Sequence, residues 1–318
     1  MVTVVKTVWA TLTIASAAMA AGWGYAGQWG SPGSGDGQFN EPKGIAVAPD
    51  CTVYVADVRN HRVQYFTSNG SFLGKWGTYG TGEGEFSFPT GLAVTPDVTV
   101  YVLDQGNDRV QYFTGAGSFL GKWELDTARR ATGIAVAPTR GYIYVSDSSR
   151  DCVQYFTSAG SFLGSWGGTG SGPGQFANPT GIGVAHESGN VYVADKLNHR
   201  IQYFTSSGSY LGGWGSFGSG ERQFNQPIGV AANGYETILI SDSLNYRVQH
   251  FDSHGMFLDA FGRRGSGAGE FQKLSFIAAP QGWPTAYVTD YELHRVQYFA
   301  AIPAVEPTSL GRVKALFK

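Results

Sequence analysis

The sequence predicts an all-β, six-bladed β-propeller with four antiparallel strands per blade, and three observations carry the prediction. Composition suits short strands and tight turns, an aspartate-centred unit recurs six times, and a strand-like segment stands ahead of the first unit. Among 318 residues there are 46 Gly, 17 Tyr, 20 Phe and 8 Trp, and only 14% are charged. Aromatic strands separated by glycine turns need this mixture, whereas a helical bundle would want more Ala, Glu, Lys and Leu. The formal charge of −2 lacks the basic field that nucleic-acid binding requires. Two cysteines in so long a chain make no disulfide framework, so stability must come from the core.

Residues 1–20 read as a leader rather than as part of the fold. Lys6 gives a short positive region, an apolar run extends from Val8 to Ala18, and Ala18-Met19-Ala20 has the small-x-small form of a signal-peptidase site. The run is too short to span a membrane. The reading predicts export, to the cell envelope or beyond, with Ala21 as the first mature residue.

The repeat follows. VYVADVRNHRVQYF at 53–66 shares one frame with VYVLDQGNDRVQYF at 100–113, IYVSDSSRDCVQYF at 143–156, VYVADKLNHRIQYF at 191–204, ILISDSLNYRVQHF at 238–251 and AYVTDYELHRVQYF at 286–299. Asp57, Asp104, Asp147, Asp195, Asp242 and Asp290 are spaced by 47, 43, 48, 47 and 48 residues. In the first unit, GIAVA at 44–48 reads as strand a, 53–57 as b, 62–66 as c and SFLGKW at 71–76 as d. Pro49-Asp50 and Asn69-Gly70 supply turns. The strands are nearly continuously apolar, as expected for sheets covered on both faces. The sixth unit ends after strand c, yet YAGQWG, from Tyr25 to Gly30, repeats the strand-d pattern LGKWG before any strand a. It is expected to complete blade six and close the ring, leaving residues 21–300 as one propeller.

The motifs PxGIAV, VYVAD and NHR[IV]QxF together resemble the NHL repeat over residues 24–299. Asn60-His61-Arg62 and Asn198-His199-Arg200 keep the full triplet. Asn107-Asp108-Arg109, Arg150-Asp151-Cys152, Asn245-Tyr246-Arg247 and Leu293-His294-Arg295 depart from it. The resemblance implies the propeller and is nearly silent on activity, because this fold carries lyases, RNA binders, receptor ectodomains and interaction modules.

In five of the six units, an Arg five residues after the Asp faces it across the b–c loop. The pairs Asp57/Arg62, Asp104/Arg109, Asp195/Arg200, Asp242/Arg247 and Asp290/Arg295 are therefore expected to act as structural clamps, each contributing about 0.2–1 kcal/mol. Cys152 takes the Arg position in blade three, leaving Asp147 to Arg150 or to a ligand. On this reading Cys152→Arg is neutral or stabilising. Cys51 and Cys152 lie on non-adjacent blades, too far apart to bridge, and are expected as buried thiols.

Glycine-rich stretches such as GSPGSGDGQF and GTYGTGEGEF join strand d to the next strand a. None is followed by the Lys-Ser/Thr and helix of a phosphate loop, and the acidic residues Asp36, Glu83 and Glu85 lack calcium-loop spacing. They read as flexible surface linkers. The connection WELDTARRATG between blades two and three is about four residues shorter and predicts a notch in the rim.

Strand-a starts should line the channel mouth. Their middle positions read Lys43, Thr90, Thr132, Thr180, Ile228 and Leu274, a set that cannot hold a catalytic zinc. In propellers that resemble this one, peptide-amidating lyases place zinc-binding histidines there and lactonases place metal-binding Glu, Asn and Asp. Here His61, His199 and His294 are dispersed around the ring and read as repeat residues. No cofactor or metal is expected. Trp29, Trp76, Trp123, Trp166 and Trp214 should cover the outer core.

Aromatic and basic residues that break the repeat are the candidate ligand-binding set: Tyr79 and Phe217 on d–a loops, Tyr246 and Tyr291 on b–c loops, with Lys43, Arg59 and Lys196. The sequence therefore points to a non-catalytic scaffold binding a protein, peptide or glycan on its loop-rich face. The alternative is a metal-dependent lyase or hydrolase working at the central channel. After residue 300 the tail, 301–318, starts as a linker and then places Leu310, Val313, Leu316 and Phe317 on one side of a short helix.

Overall fold

The computed structural model describes residues 22–126, 130–232, 237–282 and 284–302. The expected leader and the helical tail lie outside these residues. The six four-stranded antiparallel sheets are the blades of a propeller. Blade one is Pro42–Val47, Val53–Asp57, Arg62–Phe66 and Phe72–Trp76, strands a to d from the channel outward. Strand a starts at Pro42, two residues earlier than read from sequence, because Pro42 already pairs with Asp57.

Sequence explains the burial gradient. The Val- and Tyr-rich strand b is buried at every position in blade one, sandwiched between neighbouring blades. Strand d, FLGKW, alternates half-buried and exposed residues and forms the solvated rim. A bulge between Tyr65 and Phe66 recurs at the same point of blades two to five and adds local twist.

Blade six is assembled from both ends of the described chain. Gly22–Trp29 pairs antiparallel with Arg295–Ile302, with Gly22 opposite Ile302 and Trp29 opposite Val296. The outer strand thus begins three residues before Tyr25. Gln28 accepts a hydrogen bond from Arg295 at 2.8 Å.

Two kinds of contact recur between one blade and the next. Strand-b tyrosines donate to carbonyls in the following blade's c–d turn: Tyr54 to Gly115, Tyr101 to Ser158, Tyr144 to Ser206, Tyr192 to Ser253 and, across the closure, Tyr287 to Ser68. Strand-d tryptophans stack on the glycine of that same turn. Gly70 has φ +89, and a Cβ there would lie 2.6 Å from the Trp29 ring, so both conformation and space require glycine. Blade five substitutes Phe261 for tryptophan, and Trp23 of the closing strand stacks on it at 5.6 Å.

The glycine-rich loops are not the loose linkers their composition implies. Phe39, Phe86, Phe176, Phe224 and Phe271, near the ends of these loops, are fully buried in the core. The loop of blade one is closed by Gly33 N–H to Phe39 O and Phe39 N–H to Ser31 O, and Gln38 folds back to accept from Gly35 N–H. The cysteines also differ from expectation: both are free but only half-buried.

Candidate functional site

The b–c and d–a loops share one face, because Asp57 pairs with Arg62 where strand b ends and c begins, and Val63 pairs with Trp76 near the end of d. That face is built on the Asp–Arg clamps. Arg62 Nε donates to Asp57 Oδ2 at 2.7 Å, both side chains being almost wholly buried. Its Nη atoms donate to the carbonyls of Ser34, Gly35 and Gln38 in the glycine-rich loop. The other Asp57 oxygen accepts from Asn40 N–H. Two further residues complete the network. Asn60 donates to Asp57 and Gly33 O, and Gln64 donates to Asp57 and Gln38 O. Blades two, four and five repeat this arrangement through Arg109, Arg200 and Arg247. In blade six Arg295 keeps the loop carbonyls of Ser266, Gly267 and Glu270 but lies 3.6 Å from Asp290. Burial is the leading influence on Asp195, Asp242 and Asp290 and holds their carboxyls above the usual range.

Strand-c glutamine, present in all six units, was not singled out in the sequence. Its recurrence inside an apolar strand was the available signal.

Blade three departs as a unit. Asp147 accepts from Ser149 N–H, Ser149 Oγ, Arg150 N–H and Gln154 Nε2. The Arg150 guanidinium engages Asp126 and only approaches Asp147, at 4.0 Å. Asp147 is therefore occupied, and the proposal that it is free for a ligand is corrected. Burial pushes the Cys152 thiol up to about 11, so it is an unreactive thiol rather than a nucleophile.

The repeat histidines are structural. His61 Nδ1 accepts the N–H of Phe88, His199 that of Gln226, and His294 that of Glu41 across the ring closure. Asp151 does the same for Asn178 in blade three. Each N–H belongs to a residue with φ between +52 and +59 immediately before the next strand a, so the side chain pins a strained junction.

The channel-mouth ring needs one correction. Pro42 pairs with Asp57 and Leu274 with Asp290, so Ser275, not Leu274, stands level with Lys43. The ring is Lys43, Thr90, Thr132, Thr180, Ile228 and Ser275. Thr132 and Thr180 donate to carbonyls of the next blade, Pro179 and Pro227, whereas the buried Thr90 hydroxyl has no partner. Gln105 occupies the Ala131 carbonyl of blade three.

Of the seven candidate ligand-binding residues, the structure draws Lys43, Arg59 and Tyr291 together. The Lys43 ammonium lies 5.5 Å from the Tyr291 ring centre and Lys273, not singled out before, lies 5.1 Å from it. Arg59 pairs with Glu41 at 2.6 Å. Burial lowers the pKa of Lys43, and Lys273, Arg59 and Lys196 lower it further against an opposing pull from Glu41. Burial likewise lowers that of Lys196, with Lys273 adding to the effect. Tyr79, 71% exposed, sits apart against His61, and Phe217, 67% exposed, against His199. Tyr246 lies beneath Arg264 at 5.3 Å.

The enclosed space lies elsewhere. A cavity of about 180 Å³ opens at the opposite mouth of the channel, on the a–b turn side. Its walls include the side chains of Ile45, Leu92, Ile134, Ile182, Val230 and Phe276, with polar atoms making up a comparable part of the lining. Among the described residues no three His, Cys, Asp or Glu side chains are grouped to hold a metal ion. No helix among them is long and apolar enough to cross a membrane.

Fold and loop face together define a β-propeller of six sheets with a cationic, aromatic-rimmed mouth on one side. The NHL repeat model matches residues 39–66 and 176–204, in the two units that keep the Asn-His-Arg triplet, so the chain carries NHL repeats on a six-bladed propeller. A comparison with curated proteins found no match. Among solved structures, the chain is similar to a Bacteroides thetaiotaomicron protein of unknown function, at 18% identity and TM-score 0.67, covering 87% of this chain and 75% of that one. It is similar to a Xanthomonas campestris gluconolactonase at 15% and 0.61, covering 84% and 88%. With virginiamycin B lyase from Staphylococcus aureus the figures are 12% and 0.58, covering 85% and 83%. At such identities the likeness is one of fold alone.

Proposed function

We propose that this propeller is an exported, non-catalytic binding scaffold that recognises a protein, peptide or glycan on the face formed by its b–c and d–a loops. The observation that carries the reading is the exposure of Tyr79 and Phe217, large rings outside the repeat consensus, on the face where Lys43, Lys196 and Arg59 stand. Exposed aromatic anchors beside cations are the features that contribute most at binding surfaces. The repeat histidines His61, His199 and His294 are engaged with backbone N–H groups, and the clamp aspartates of blades one, two, four and five with their arginines. Export rests on the Lys6 to Ala20 pattern alone.

Binding of the purified mature protein to peptide and glycan arrays, compared with Tyr79→Ala/Phe217→Ala, tests the face. Signal lost in the double variant supports it, and signal unaffected by that variant refutes it. Metal analysis supplies the opposing test, since stoichiometric tightly held Zn²⁺ or Ca²⁺ would favour the lyase or hydrolase alternative. N-terminal sequencing of exported material should begin at Ala21; retained Met1 would remove the export reading.

A further inference from the structure

Lys43 and Lys273 meet over Tyr291 at one channel mouth, and Lys196 stands on the same face, near enough for its charge to bear on both, with too few carboxylates to balance the three. Lys43 belongs to strand a of blade one, Lys196 to the b–c loop of blade four, and Lys273 stands immediately before strand a of blade six. Lys273 lies 3.5 Å from Glu292, and the Glu41 carboxylate pairs with Arg59. Among the described residues neither Lys43 nor Lys196 has a carboxylate within ion-pair distance, although both are half-buried. Lysine ammoniums held out of water without a counterion cost free energy that the fold does not recover by itself. The two ammoniums of Lys43 and Lys273 share a single tyrosine face, which softens their repulsion without cancelling it. At the level of Lys43 the buried Thr90 hydroxyl has an unused hydrogen bond.

The chemistry left free on this face discriminates between ligand classes. Neutral sugar hydroxyls are best held by side-chain amides and carboxylates. Here Asn60, Asn107, Asn198 and Asn245 are all spent on the clamp aspartates and loop carbonyls. Exposed on this face are ammonium and hydrocarbon, with Leu197 beside Lys196, Phe88 and Tyr79 around His61, Phe217, and Leu244 on the b–c loop of blade five, while the exposed carboxylates of Asp126 and Glu292 are paired with Arg150 and Lys273. That combination suits acidic groups flanked by apolar side chains.

Resting on the binding-scaffold reading above, we infer that the channel mouth takes the acidic tip of a peptide, a carboxylate seated among Lys43, Lys196 and Lys273 while neighbouring apolar side chains pack on the rim residues Leu197, Tyr79 and Phe217. In this pairing the ligand carboxylate supplies the counter-charge for the three ammoniums. Affinity should fall with added salt. It should also fall as pH rises toward the lowered pKa values of Lys43 and Lys196, because only the ammonium form attracts the carboxylate. The other charged and titratable groups facing them are Glu41, Arg59, Lys273, Tyr291 and Glu292.

Panning a random 12-residue peptide library on the mature protein, with a parallel array of neutral and uronate-bearing glycans, tests the inference. The expected result is enrichment of peptides carrying clustered Asp and Glu next to apolar residues. Lys43→Gln and Lys196→Gln should each weaken the enriched peptide at least tenfold, Lys43→Arg should retain most binding, and thermal melts should show all three variants folded. Enrichment of neutral peptides that depend on Tyr79 and Phe217 overturns the acidic-tip inference and leaves the scaffold reading standing. Binding confined to uronate glycans also overturns it. Absence of any binder in both arms counts against the two readings together.

Discussion

Arg62 and Cys152 occupy equivalent positions and show how far a residue's role depends on what lies opposite it. Arg62 satisfies a buried carboxylate and three loop carbonyls. In blade three the preceding loop is about four residues shorter, its Asp126 presents both carbonyl and carboxylate to Arg150, and Asp147 already accepts from Ser149, Arg150 and Gln154, so an arginine at 152 would meet partners that are already engaged. The missing arginine and the short loop, which the sequence presents as two irregularities, are therefore one. An asymmetry in mutant stability follows. Arg62→Cys leaves Asp57 buried without its cation and should cost about 3–5 kcal/mol. Cys152→Arg should shift stability by no more than about 1 kcal/mol in either direction, the scale of a single facing pair. Urea midpoints of the two variants check this, and comparable effects would contradict it. The aspartate and arginine were legible because charge stands out against apolar strands. Gln64 and its equivalents were not, since an amide in a strand gives no sign of where its four hydrogen bonds go.

At the level of elements, the six-strand-set repeat was readable from spacing alone, whereas the glycine-rich loops were misread. Glycine is the usual mark of a linker, and the deciding residue is the single aromatic at its end. Phe86 is fully buried and packs on Phe113 at 5.6 Å, so each loop is pegged to the core by one ring and capped from beneath by one arginine. Phe86→Ala should cost about 3–5 kcal/mol and release the loop that carries Tyr79. Hydrogen exchange should then rise at Gly80 and Phe86, whose N–H groups donate to Phe86 O and Thr78 O. Exchange that stays as slow as in the parent would show the loop is held by other means. The candidate face was partly legible for a related reason. Residues that interrupt a repeat announce themselves, which singled out Lys43, Tyr79, Lys196 and Phe217. Lys273 was missed because blade six lacks the proline that marks the start of strand a in blades one, two, four and five.

The whole molecule is a ring, and its properties depend on the seam. Blades one to four each meet the next through a tyrosine hydroxyl and a ring on glycine, blade five meets blade six through Phe261 on Trp23 and Ser243 to the Leu274 carbonyl, and the recurrent devices cross from blade six to blade one: Tyr287 to Ser68, Trp29 on Gly70, His294 to Glu41. An open stack of repeats has two weak ends, where a unit lacks half of its stabilising interface. A closed ring has none, so unfolding should be a single concerted event. Deleting residues 22–30 tests this directly. It removes the outer strand of blade six, exposes Arg295–Ile302 as an edge, and strips Trp29 from Gly70 and Gln28 from Arg295. The ring then becomes an array whose ends are blades one and six. Melting temperature should fall by on the order of 10 °C, as a loss of several kcal/mol implies for a domain of this size. Hydrogen exchange should accelerate first in Val53–Asp57 and Thr285–Asp290, while the strands of blades three and four stay protected. An unchanged melting temperature with uniform protection would mean that closure contributes nothing, and that the strand paired with Arg295–Ile302 is an ornament on a stack already stable without it.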